Sequence, residues 1–219
     1  MKTSNNPAQR LPYKNQQTEE PLSHYLSMYH SLDPQEIAQR CSLKFDGSSF
    51  NLRVLGTDYL VPHPEFALRE KGGNEVSSPY EKILILRYLC EGKYVIPQGK
   101  QLSYMEVPSG PLYFRNFEGR CLKRCAFTFG KDIPRFKTMI EQNPQLRAIP
   151  LKTGDAAYRL EFLSDLYITV ILYGPDDEFQ PSAQILFEDN FTSAYTAEDL
   201  AVVGEVLISR LKKLSASLT

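Results

Sequence analysis

Long apolar runs are missing from this chain. None approaches the ~18–20 residues that a membrane-spanning helix needs, and the opening MKTSNNPAQRLPYKNQQ lacks the apolar core of a secretory signal. No membrane association is expected, and the cytoplasm is the expected compartment. Cysteine is scarce: Cys41, Cys90, Cys121 and Cys125 form neither a CxxC pair nor a Cys/His ligand set, so a disulfide framework is not expected. The sequon Asn190-Phe191-Thr192 has no meaning in a reducing compartment, because glycosylation requires the secretory route. Histidine is scarcer still. His24 and His30 stand six apart, too far round a helix to form a metal pair, and His63 lies alone between two prolines. The motifs GxSxG, HExxH, GxGxxG and GxxxxGK are all absent, which removes the common signals for nucleophilic, zinc-dependent, dinucleotide and phosphate-loop chemistry. The formal net charge of -1 leaves no surplus broad enough to coat a nucleic acid, and nucleic acid is not an expected partner.

What remains is an ordinary globular composition, 219 residues with 42% hydrophobic side chains. A chain of this length can bury roughly 70% of the surface that it exposes when unfolded. Residues 1–18 are polar, offer nothing to bury and are expected to form a disordered tail. One domain, residues 19–219, should follow.

The segment organising that domain is LYITVILYGPDDEFQPSAQILFED, from Leu166 to Asp189. Its first eight residues are β-branched and aromatic, fitting a strand buried on both faces. Gly174-Pro175 stops the strand, three acids follow, and after Pro181 the chain turns apolar again, so an antiparallel pair with carboxylates on its connecting loop is expected. Upstream, Tyr158, Leu160 and Phe162 alternate as another strand. Near the N-terminus, Asp46-Gly47 and Gly56-Thr57-Asp58 divide Leu43 to Leu68 into a meander of three short strands. The stretch Arg69 to Ser78 reads as a loop.

Helices are expected at six places. Leu22, Tyr25, Leu26, Tyr29 and Leu32 recur at helical spacing, with order beginning near Pro21. Asp33 caps a second helix that has Pro34 in its first turn. Pro79 opens a third, YEKILILRYLCEG, apolar on nearly every side and therefore packed between layers. Pro111 opens a fourth, which puts Tyr113, Phe117, Cys121 and Cys125 on one face. Asp132 caps a fifth, and Thr196 with Asp199 forms a capping box for the last. The fold class is α+β: antiparallel strands in an N-terminal meander and a C-terminal hairpin group, packed with five or six helices.

Charge is unevenly spread. Arg115 to Lys152 holds nine Lys/Arg against three Asp/Glu, whereas Thr153 to Glu205 holds one Arg against eleven acids. The plainest reading is two solvated faces, although a basic surface for an anionic ligand or partner would look the same. Asp176-Asp177-Glu178 invites a metal, since hard cations take several oxygens, but adjacent residues of an extended segment point to opposite sides. Phe179 beside them is expected to pin the loop to the core.

Several of these stretches share a pattern. Gly154-Asp155-Ala156-Ala157, the strand ITVILY, the DDEFQP loop, ILFED and the EDL helix resemble the bacterial and archaeal family of domain of unknown function 3786. ILILRYL, GKQLSYMEVPSG, the Phe117 to Cys121 FxxRC element and the Asp33-Pro34 helix are similar to that family too, so the resemblance spans about residues 22–214. Gln180 stands where a proline is frequent, and Glu188 intervenes before Asp189. Some members are joined to an iron–sulfur module of corrinoid proteins, a module not seen in this sequence. The resemblance implies an accessory role near anaerobic one-carbon or corrinoid metabolism.

The function expected is that of a non-catalytic domain binding a small molecule or a protein, with Arg115, Asp155, Asp177 and Glu178 as polar contacts where the C-terminal hairpin meets the fourth helix. Alternatives are a metal-dependent enzyme using Asp176 to Glu178, and a protein–protein adaptor using the basic middle helix. No catalytic residue, resident metal or cofactor is assigned.

Overall fold

The computed structural model describes residues 13–218 except 72, 74 and 77, with no side-chain description for residues 13–17. Two helices come first among the described residues: α1 (Tyr13–Ser31) and α2 (Pro34–Cys41). The sequence places the start of order near Pro21, because the residues before it are polar and offer nothing to bury. Instead α1 runs through Pro21 and reaches back to Tyr13, and the rest of the expected tail lies outside the described residues. Asp33 caps α2 as expected: its carboxylate accepts from the backbone N–H groups of Gln35 at 2.7 Å and Glu36 at 3.2 Å.

The meander follows as β1 (Lys44–Phe45), β2 (Ser49–Val54) and β3 (Thr57–Pro62). The stretch read as a loop contains a short fourth strand, β4 (Arg69–Glu70), which pairs with Tyr59 and Leu60 of β3. Two residues carry too little period-2 pattern to be seen in sequence. Helix α3 (Pro79–Cys90) is capped by Ser78. Strand β5 (Gln101–Ser103) and a 3-10 turn at Tyr104–Glu106 divide the LSYMEV piece, which the sequence presents as one brief strand.

Helix α4 (Gly110–Phe117) continues into two π-helical segments, Glu118–Lys123 and Ala126–Gly130. Then come α5 (Ile133–Glu141), β6 (Ile149–Pro150), β7 (Ala156–Leu163), β8 (Leu166–Tyr173), β9 (Ser182–Glu188), the four-residue α6 (Phe191–Ala194) and α7 (Ala197–Ala216). The expected hairpin is present: β8 pairs with β9 from Ile168–Phe187 to Tyr173–Ser182.

The two strand groups, distinct in sequence, form one antiparallel sheet in the order β4-β3-β2-β7-β8-β9-β5. Their junction is narrow. Val54 of β2 registers with Leu163 of β7, and the Leu55 N–H donates to the Phe162 carbonyl at 2.9 Å. Helices α3 and α7 and the π-helical segments pack on this sheet around Leu84, Tyr88, Phe117, Cys121, Phe162, Phe187, Phe191, Val203 and Leu207, all buried. Phe187 and Phe191 meet edge to face at 5.3 Å, and Tyr104 stacks on Phe117 at 4.0 Å. Close approach of the first π-helical segment to α7 depends on Gly204, where a Cβ would lie 2.7 Å from Cys121 Sγ. Among the described residues, no helix is long and apolar enough to cross a membrane.

Candidate functional site

Two neighbouring cavities open where α1, α3, α4 and the start of α7 converge. The first, about 550 Å³, lies between the Val107–Ser109 turn and the segment from Thr192 to Glu198. The second, about 420 Å³, lies between Pro21 and Tyr25 of α1, Tyr80 and Leu84 of α3, Asn116 of α4 and Arg120 of the first π-helical segment. Arg87, Tyr113 and Glu198 line both, so the two form one groove. Such a concave site, with apolar and aromatic lining and a few convergent polar groups, has the build of a small-molecule pocket.

Its polar groups hold each other in place. Arg87 donates to Asp199 Oδ1 at 2.5 Å and to Glu91 Oε2 at 3.3 Å, and its guanidinium lies 5.3 Å from the centre of the Tyr25 ring. Tyr25 donates its hydroxyl to Glu91 at 3.2 Å. Burial pushes the Tyr25 phenol up, although Arg87 opposes that shift. The Glu198 carboxylate beside Tyr113 raises the phenol. Asp199 also closes the capping box of α7, accepting from the Thr196 hydroxyl at 2.6 Å and from its N–H at 2.9 Å. Helix start and groove floor therefore share one carboxylate. Tyr104, pushed up to about 12 by burial, donates to the Ala197 carbonyl at 2.7 Å and fixes the same turn from below.

None of the four residues expected to form the site lines these cavities. Asp155 opens β7, and its carboxylate accepts from the Gly174 N–H at 2.7 Å, tying the end of β8 to the start of β7. Asp177 and Glu178 are exposed on the β8–β9 loop, where Asp176 accepts from Glu178 N–H at 2.9 Å and Phe179 N–H at 2.7 Å to close a turn. Asp155 and the acidic loop thus share one end of the sheet, whereas Arg115 stands exposed on α4, and among the described residues no hydrogen bond or ion pair joins it to any of the three acids. The expectation that Phe179 pins the loop is corrected: its side chain is 67% exposed. Among the described residues, no group of three or more His, Cys, Asp or Glu is placed to hold a metal ion.

The residues that do line the groove come from five separate segments, which is why spacing rules do not gather them. One signal was available: Arg87 is the lone charge inside ILILRYL, and a cation embedded in an apolar helix needs a buried partner.

The cysteines are buried, as their aromatic neighbours suggest, and burial raises their thiols: Cys41 to about 11, Cys90, Cys121 and Cys125 to about 12. Folded thiols thus keep their protons to a higher pH than unfolded ones, whose ordinary value is 9.0. Stability is fully present below that value and is lost as the pH rises from there toward the folded values. Urea midpoints are expected to hold between about pH 7 and 9 and to fall steadily above it. A midpoint unchanged at about pH 10.5 would contradict this.

Comparison with family models matches residues 33–210 to the family described as Domain of unknown function (DUF3786). No curated protein and no solved structure matches.

Proposed function

The chain belongs to the DUF3786 family, and on that footing we propose a function drawn from the groove: a non-catalytic accessory domain that binds one small polar molecule. The observation that carries this reading is Arg87, standing at the meeting of the two cavities and fixed by Asp199, Glu91 and the Tyr25 ring. A guanidinium held on three sides is preorganised, so a ligand would meet it with little ordering cost. Tyr113 and Glu198 supply a phenol and a carboxylate opposite, suited to a ligand bearing hydroxyl or amine groups. The raised thiols argue against a nucleophilic cysteine. A place in anaerobic one-carbon or corrinoid metabolism is carried by the sequence resemblance, and a cytoplasmic location fits four free cysteines.

The reading predicts that some members of a panel of polar metabolites raise the melting temperature of the chain. Glu198→Gln and Tyr113→Phe, both conservative changes at solvent-accessible positions, should each weaken that ligand by roughly tenfold through loss of a hydrogen bond to a charged group. Full retention of binding in both variants, at unchanged stability, would sink the site.

A further inference from the structure

The basic surplus of the middle segment is only partly neutralised in the fold. Arg120 pairs with Glu205 at 2.7 Å, Lys123 with Glu118 at 3.0 Å and Arg147 with Glu161 at 3.3 Å. Among the described residues, the Arg124 guanidinium meets no carboxylate; it donates to Ser209 Oγ of α7 at 3.0 Å.

Arg124 borders a cleft of about 280 Å³ between the first turn of α3, the first π-helical segment and α7. Four cations line it, Arg120, Arg124, Arg210 and Lys213, against two carboxylates, Glu81 and Glu205. Both carboxylates are already engaged by two-point contacts. Glu205 takes Arg120 at 2.7 and 2.8 Å, and Glu81 takes Arg210 at 2.7 and 2.9 Å. The surplus of two charges therefore resides on Arg124 and Lys213, neither of which has an ion-pair partner among the described residues. Ser78 and Ser209 line the same cleft, each with a hydroxyl proton still to donate, and Ser78 is the N-cap of the 12-residue α3, whose dipole adds positive potential there. Two like charges brought together without a counterion repel each other, and a doubly charged anion relieves that repulsion.

We propose that this cleft is a site for a phosphoryl group, held by Arg124 and Lys213 with Ser78 and Ser209 as neutral donors. Two cations and two hydroxyls match the charge and the several acceptor oxygens of a phosphate dianion. The occupant is inorganic phosphate or the phosphate of a small ester. The ester has a place for its organic part, because Tyr80, Arg120 and Val202 line both this cleft and the second cavity of the groove. The phosphoryl site needs only the cleft; the ester form also rests on the groove reading.

Isothermal titration of the full chain with inorganic phosphate and with phenyl phosphate, at low ionic strength, tests this. Both ligands are expected to bind saturably, and the double variant Arg124→Gln, Lys213→Gln should lose about tenfold or more in affinity for each at an unchanged melting temperature. Phenyl phosphate binding more tightly than phosphate, with the advantage removed by Tyr113→Ala, assigns an ester reaching into the groove. Equal affinities, lost together in the double variant, assign free phosphate and leave the groove to its own test. No saturable binding of either ligand, or binding unchanged in the double variant, overturns the proposal.

Discussion

Glu81→Ala is expected to lower stability by about 3–5 kcal/mol, which for a chain of this size is a fall in melting temperature of roughly 10 °C. Glu81 and Arg210 form a two-point ion pair with side-chain exposures of only 10% and 20%. Arg210 also donates to the hydroxyl of Tyr59, whose side chain is buried on β3. The pair thus ties α3, α7 and the meander together. Burial alone would pull the guanidinium down, and its bonds to Glu81 and the Tyr59 contact hold it up. Alanine at position 81 removes that compensation and leaves a charge in a half-dry site. Glu81→Leu with Arg210→Met should cost far less, within about 1–2 kcal/mol, because no unpaired charge remains. Urea denaturation followed by circular dichroism measures both. Equal losses in the single and double variants would show that packing, not charge compensation, is at stake.

Gly110→Ala is the second large effect. Alanine is the better helix former by about 1 kcal/mol, so propensity alone predicts stabilisation at the head of α4. The space decides otherwise: a Cβ at Gly110 would lie 1.8 Å from the Tyr104 carbonyl oxygen and 2.8 Å from a Val107 methyl. A backbone carbonyl cannot swing aside as a side chain can, so the 3-10 turn or α4 must shift, at a cost of about 2–3 kcal/mol net. That shift moves Val107, Pro108 and Ser109, one wall of the first cavity. Loss of stability together with loss of small-molecule binding is the expected result. A stabilised variant would mean that the turn is softer than its packing indicates.

Local signals carried much of the fold. Asp33, Asp132 and Thr196 cap helices because each places a side-chain oxygen against free N–H groups of a first turn, a relation contained within four residues. The strand Leu166–Tyr173 was equally legible, since burial on both faces leaves an unbroken apolar run. What stayed hidden depends on distant partners. Nothing in Val54 and Leu163 announces that they join two strand groups into one sheet, and nothing in Leu102 names Phe187 of β9 as its partner. The π-helical segments hid for a different reason: a spacing of four describes Phe117, Cys121 and Cys125 well enough, and the extra residue per turn shows only in the hydrogen bonds.

The site illustrates the same limit. Asp155, Asp177 and Glu178 attract attention because they cluster in sequence, yet Asp155 and Asp176 use their carboxylates on nearby backbone N–H groups. Arg87, Glu91, Tyr113 and Glu198 are scattered along the chain, and only the convergence of α3, α4 and α7 brings them to one groove.

Native mass spectrometry of the full chain, purified gently from its own cells, tests the groove most directly. The account predicts a small organic molecule retained on the wild-type chain and missing from the Tyr113→Phe, Glu198→Gln double variant. A molecule retained equally by both chains would place the binding site elsewhere and contradict the account.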